Sequence, residues 1–274
     1  MSAIRKPKTL RPVRPNAGVR AAYHGRLDRL LEEMHRSVTH WVRAAYRAKT
    51  PEIVKLAEDA SPARTLDEVV SSLIRRWQKR YDEAADNLGR WFAQTSAKRS
   101  DTTLKGILKR GGFSVEFKMS RPMNDAYQAV IGENVGLIKS IPQRYLADVQ
   151  GHVMRSVQAG RDLGYLTDAI EASYGVARRR AAFIARDQNQ KATAVLTRVR
   201  YQEIGIQSAR WLHSAGGKTP RPSHVKAGRD KVVYAIADGW FDPDAKKNIW
   251  PGELPNCRCT AIPVLPTLTQ SEAR

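Results

Sequence analysis

The stretch PGELPNCRC, residues 251–259, holds both cysteines of the 274-residue chain, Cys257 and Cys259, with Arg258 between them. In an extended segment, residues two apart point to the same side, so both sulfurs can face one site. A disulfide between them would be badly strained. Two thiolates with one or two imidazoles satisfy a tetrahedral metal site, which makes Zn2+ the candidate cofactor. His224 is the best third ligand and His213 a fourth. Zinc cysteines usually stand two or more residues apart, and here the gap is one. Two other chemistries stay open. The cysteines can be small buried apolar groups on a terminal strand, with His224 bracing a turn. Alternatively, Arg258 lowers the pKa of a nucleophilic cysteine and His224 acts as its base, although no Asp or Asn is clearly placed to orient that histidine.

These residues belong to a segment rich in Gly, Pro, Asp and aromatics from Gly205 onward, with β-like patches at residues 206–213, 232–237 and 259–265. The rest of the chain is patterned for helices. Leu27, Leu30, Leu31, Met34, Val38, Trp41, Val42 and Ala45 recur at helical spacing over residues 17–48. A second helix is expected from Thr65, where TLDE has the capping-box form, with a stripe of Val69, Leu73, Trp77, Tyr81, Leu88 and Phe92. Gly-Gly at residues 111–112 breaks it, and the alternation of Phe113, Val115, Phe117 and Met119 suggests a short extended piece. Helical patterning resumes over residues 124–139 and again from Pro142 to Ala159, stopping at Gly160. A short helix over residues 166–173 ends near Gly175, and a longer one runs from Val176 to Ile204, closing at Gly205. Trp41, Trp77 and Trp91 fall in helical stripes and are expected in the core; Trp240 and Trp250 fall in loops. The expected fold class is mainly α with a small C-terminal α+β cap, long amphipathic helices followed by a short β-rich domain. The expected divisions are a basic extended arm (1–16), an N-terminal helical region (17–120), a central helical region (121–205) and the cap (206–274).

Charge narrows the partners. The chain carries 47 Lys and Arg against 27 Asp and Glu, a formal net of +20. Such an excess favours a polyanionic partner, nucleic acid or an acidic protein surface. Arg5, Lys6, Lys8, Arg11 and Arg14 lie in an acid-free, proline-broken N-terminal arm, readable as a DNA-contacting arm or as a solvated tail. Arg178, Arg179 and Arg180 are consecutive on a helix, so they spread around it and not all can be core. No apolar run is long enough to span a bilayer, and the N-terminus lacks the apolar stretch of a signal peptide.

The order of signals resembles a known family. Ala185, Arg186 and Ala192 on a helix are followed by Gly205, Ile206 and Trp211. Then come RPSHVKAG, with Arg221, His224 and Gly228, and the closing stretch with Pro251, Gly252, Cys257 and Cys259. This is similar to the Mu F-like minor head proteins of phage head morphogenesis, over roughly residues 140–263. Those proteins usually carry an Asp a few residues after the Trp, where Ala215 or Gly216 stands here; His213 is the substitute if that Asp binds metal in relatives. The resemblance implies a minor component of tailed-phage heads, present in few copies at the portal vertex, acting in head assembly and in handling DNA at packaging or ejection. Implied partners are the portal protein, scaffold or major capsid protein, and double-stranded DNA without sequence preference, with no membrane. The implied location is the virion, inside the capsid near the portal, and the host cytoplasm during assembly. Some relatives fuse this region to toxin modules; none is expected here, since the cap runs up to Arg274. The leading expectation is non-enzymatic. A metal-dependent nuclease using His213, His224 and the cysteines, with Asp230 or Asp238 as carboxylate, is the alternative, and a host nucleoid-type DNA binder is a third reading.

Overall fold

The computed structural model describes residues 9–48, 62–160, 162–217 and 219–265. Arg5, Lys6 and Lys8 lie outside them. Four long helices and a small cap of short antiparallel strands make the fold, the expected mainly α class. Helix α1 (Ala17–Ala48) starts where the Asn16 side chain accepts a hydrogen bond from the Val19 amide at 3.0 Å. Its buried stripe is Tyr23, Leu27, Leu31, Met34, Val38, Val42 and Tyr46. Trp41, expected in the core, lies off that stripe and is 48% exposed.

Helix α2 (Pro62–Arg110) begins before Thr65. The expected N-cap therefore sits inside the first turn, because Pro62 is already suited to an opening position. Gly112, at φ +89°, ends the helix, and the Phe113 amide closes on the Leu108 carbonyl at 3.0 Å. Residues 113–119 form no strand, contrary to expectation. Their alternation has another cause: Val115 and Phe117 are partly buried against the core of the cap.

Helix α3 (Arg121–Gln158) and helix α4 (Leu163–Glu203) each replace two expected helices. Pro142 lies inside α3 and removes one amide from its ladder. Buried Ile138, Ile141, Tyr145 and Leu146 hold the helix through that point. Gly175 does not end α4 either. A mid-helix glycine costs about 1 kcal/mol, which the buried Ile170, Ala177, Ala181 and Ile184 around it outweigh. Gly160 and Gly205, both at positive φ, are the stops that the sequence marks. No described helix is long and apolar enough to cross a membrane.

The chain divides into two compact units that do not follow chain order. One comprises residues 21–90 and 132–185, and its described elements are all helices. Within it, polar pairs fix the register of the packed helices: Tyr23 donates to Asn134 at 2.9 Å, and His35 bonds Tyr145 at 2.8 Å and Glu171 at 3.0 Å. The other comprises residues 1–20, 91–131 and 186–274 and contains the cap. Its strands are β1 (Ser208–Leu212), β2 (Val233–Ala235), β3 (Trp240–Asp242), β4 (Lys247–Ile249) and β5 (Thr260–Val264), with helix α5 (Pro222–Arg229) after β1. β1 is central in an antiparallel sheet of order β2-β1-β5, and β3 pairs with β4 as a separate hairpin. Residues 222–228 of RPSHVKAG lie on α5, and Trp240, expected in a loop, is on β3.

The described part of the basic arm joins this unit. Thr9 bridges Val264, the Leu10 amide donates to the Pro263 carbonyl at 3.1 Å, and Leu10 and Val13 are buried in the cap core beside residues such as Trp211, Tyr234 and Ile249. Arg11 and Arg14 stay exposed. Leu10 and Val13, three residues apart, thus face the core, and Arg11 and Arg14, also three apart, face solvent.

Candidate metal centre

Cys257 and Cys259 lie just before β5, and both are buried and free. Arg258 between them is exposed, as the two-residue period of an extended chain demands. Asn256, at φ +61°, makes the turn into this segment, and its amide is held by the buried Asp187 carboxylate of α4. Gln190 of α4 donates to the Cys259 carbonyl at 2.8 Å. Gly252 allows that approach: a Cβ there would sit 2.9 Å from the Gln190 amide nitrogen and 3.1 Å from the Ala194 methyl. Pro251 beside it is buried. Arg186, on the same helix, donates to the Asn256 side chain at 3.3 Å.

His224 arrives on α5. That helix lies against the end of β1 because Gly228 has no side chain; a Cβ would fall 2.4 Å from that of His213. The Asp244 carboxylate accepts from the Ser223 amide at 3.0 Å, tying the start of α5 to the β3–β4 turn. Arg221, just before α5, donates to the Pro255 carbonyl at 3.1 Å. Trp211 of β1, 1% exposed, stands edge-on to His224 at 4.9 Å and to Trp240 at 5.0 Å, walling the imidazole on its apolar side.

His224 Nδ1 lies 3.5 Å from Cys257 Sγ and 3.8 Å from Cys259 Sγ, and the three ligand atoms are all within 4.8 Å of one another. Around a tetrahedral zinc, with Zn–S near 2.3 Å and Zn–N near 2.05 Å, the nitrogen–sulfur edge is about 3.6 Å. The two observed distances bracket that value, so the donor set has the dimensions as well as the chemistry of a thiolate–imidazole metal site. Protonation agrees. The hydrogen bond from Cys259 lowers the Cys257 thiol to about 4, and the same pairing, with burial, pushes Cys259 up. The two sulfurs share one proton, which a metal ion would displace. The buried Trp211 indole N–H, without an ordinary hydrogen-bond partner, favours the thiolate of Cys259.

Behind the histidine stands a residue that the sequence reading missed. His224 Nε2 lies 3.2 Å from Asp242 Oδ2 on β3, and Asp242 is fully buried. Its other oxygen accepts from the Asp244 amide at 3.0 Å. A carboxylate at Nε2 makes that nitrogen the N–H donor and leaves the Nδ1 lone pair for the metal, the arrangement that orients metal-binding histidines generally. The orienting carboxylate that seemed absent is therefore present. Asp242→Asn should keep the fold and weaken metal affinity about 10- to 100-fold; competitive chelator titration of the purified variant checks it.

His213 is outside the three-ligand cluster found among the described residues. Its Nδ1 accepts from the Ala215 amide at 3.2 Å, and it lines the cleft onto which the cluster opens. Asp230 is exposed beside Arg229, at 3.0 Å, and Asp238 is exposed in a turn; neither lines that cleft. The arginine triplet lies in the helical unit. Arg178 is held by both oxygens of Asp28, at 2.9 and 3.1 Å, and Arg180 donates to Ser140 at 2.8 Å. Arg179 is exposed with no ion pair among the described residues.

Fold and site together define a class: a small antiparallel cap, docked on a long helix, that gathers one histidine and two cysteines around a single point. Residues 147–262, which contain that whole constellation, match the family model described as Phage Mu protein F like protein, so the chain carries a Mu F-like region. An uncharacterized protein of Haemophilus influenzae is 32% identical over 184 residues. The match covers 66% of this chain and 39% of that protein, so this chain spans well under half the relative's length. No solved structure matches.

Proposed function

We propose that this protein is a minor head protein of a tailed bacteriophage, acting without turnover in head assembly at the portal vertex and touching DNA without sequence preference. The observation that carries the reading is the Mu F-like match over residues 147–262. The net charge of +20 supports the DNA contact, and among the described residues the exposed Arg11, Arg14 and Arg179 are members of the expected set available to phosphates. The portal protein is the leading protein partner, with scaffold or major capsid protein next. Zinc held by His224, Cys257 and Cys259 clasps the cap shut. The site then acts as a stabilising element, since its three ligands join α5 to the segment before β5.

Quantitative mass spectrometry of purified, DNA-filled particles from the source phage tests the reading. A few copies per particle alongside the portal protein are expected; absence from particles at every stage of assembly would defeat it. The DNA contact has its own test. Affinity for a random-sequence duplex should fall linearly on a log–log plot against salt. Replacing Arg11, Arg14 and Arg179 together by Gln should reduce that slope by about 2.7, three phosphate contacts at about 0.9 each. An unchanged slope would remove these residues from the contact.

A further inference from the structure

The cysteines and histidine form one wall of a cleft of about 530 Å³. Its other lining residues include Arg186, His213, Arg221 and Arg258, and none is acidic. Arg221 is tied to the Pro255 carbonyl and Arg258 to the Gly216 carbonyl, both neutral acceptors, and neither forms an ion pair among the described residues. A guanidinium has five N–H donors, so each keeps most of its donors after one such bond. His213 accepts at Nδ1, which leaves its Nε2 as a further N–H donor. The Asp242 carboxylate is fully buried behind His224 and does not line the cleft, so Arg221 and Arg258 line it with no acidic side chain among its described lining residues. The volume is in the range of small-molecule sites, far too narrow for a duplex but ample for a nucleotide.

We propose that this cleft is a phosphomonoester site. One phosphate oxygen takes the fourth position of the metal, and Arg221 and Arg258 hold the others. Three protein ligands with one open position on a cleft is the coordination pattern of zinc sites that bind an exogenous ligand, whereas purely structural sites are closed by four. Arginine is the side chain suited to bidentate phosphate recognition. The ligand is a terminal phosphate, supplied by a free mononucleotide or by a DNA end. The inference rests on the metal reading of the same cluster and is independent of the virion role.

Cobalt is the reporter, since zinc has a filled d shell and no visible spectrum. The full chain is loaded with Co2+ and titrated with inorganic phosphate, a mononucleoside 5′-phosphate and the parent nucleoside. Both phosphates should shift the thiolate–cobalt spectrum saturably, and the nucleoside should not. Arg221→Gln and Arg258→Gln, whose guanidinium groups bond the Pro255 and Gly216 carbonyls and not a metal-ligating side chain, should leave the starting spectrum intact and raise the apparent Kd for phosphate about tenfold each, the loss of one charge-assisted hydrogen bond. Competition by short duplexes separates the sources: displacement by 5′-phosphorylated but not 5′-hydroxyl ends identifies a DNA end, and displacement by neither identifies the free nucleotide. A chain that takes up cobalt but ignores phosphate overturns the site and leaves the clasp standing. Equal affinity in the arginine variants overturns it too. Failure to bind cobalt through thiolates overturns both.

Discussion

The double variant Cys257→Ser, Cys259→Ser will melt well below the native chain, and chelator will no longer affect its melting. The site joins pieces distant in sequence: His224 on α5, the cysteines before β5, and behind them Asp242 on β3 and Gln190 on α4. A ligand that binds only the folded state stabilises it in proportion to the logarithm of its saturation, about 4 kcal/mol at a thousandfold excess over Kd. For a unit of this size that is a drop of roughly 10 °C in the melting midpoint. Chelation of the native protein should reproduce most of the loss, because both treatments remove the same ion. The packed-thiol reading predicts otherwise: chelator would leave the native melting unchanged. Acid should act through the same residues. Above about 4, Cys257 is already ionised, while Cys259 holds the shared proton. Metal binding then releases the proton shared by the two sulfurs, so affinity should fall as the pH is lowered. A pH-independent affinity would contradict that protonation scheme.

Replacing Arg200 by Ala will cost about 3–5 kcal/mol, the penalty for breaking a buried charge network by removing one partner. Arg200 is 3% exposed near the end of α4. It holds both oxygens of Asp101 on α2, at 2.9 and 2.8 Å, Glu203 at 2.7 Å, and the Lys118 carbonyl at 2.8 Å, with Phe117 packed 4.8 Å away over its guanidinium. One side chain therefore fixes α2, α4 and the 113–119 connection to each other. Removing it takes the guanidinium from both Asp101 oxygens and the Lys118 carbonyl, and leaves Glu203 with the Ser120 hydroxyl alone. Urea denaturation measures the loss. Arg200→Lys should recover only part of it, since an ammonium cannot present the planar fork that Asp101 accepts. A loss below about 1 kcal/mol would mean that water replaces the guanidinium without strain.

Helices and cap strands were legible because their signal is local. Periodic apolar residues marked the faces of α1 and α2, glycines at 160 and 205 marked stops, and three β patches became β1, β2 and β5. The errors share a cause. Pro142 and Gly175 carry local penalties of one to a few kcal/mol, and buried neighbours on both sides of each outweigh them. Helix α5 and the β3–β4 hairpin are too short for periodicity to declare them, and their positions come from Gly228 against His213 and Asp244 on the Ser223 amide. At the site, the cluster of His224, Cys257 and Cys259 was readable because cysteine is so scarce here that its pairing with a histidine stands out. Asp242 was not, since nothing in one sequence distinguishes it from Asp230, Asp238 or Asp244; only the hairpin puts it behind His224. The arginine triplet showed the reverse. Three adjacent cations looked equivalent, yet Asp28 occupies Arg178 and Ser140 engages Arg180.

The central claim is that His224, Cys257 and Cys259 hold a metal ion in the Mu F-like cap. Elemental analysis of the chain, purified without a metal-affinity tag and dialysed against metal-free buffer, tests it most directly. The account predicts close to one zinc per chain, and a value near zero in His224→Ala measured alongside. A native chain that is folded and metal-free, or a variant that retains its zinc, would contradict it.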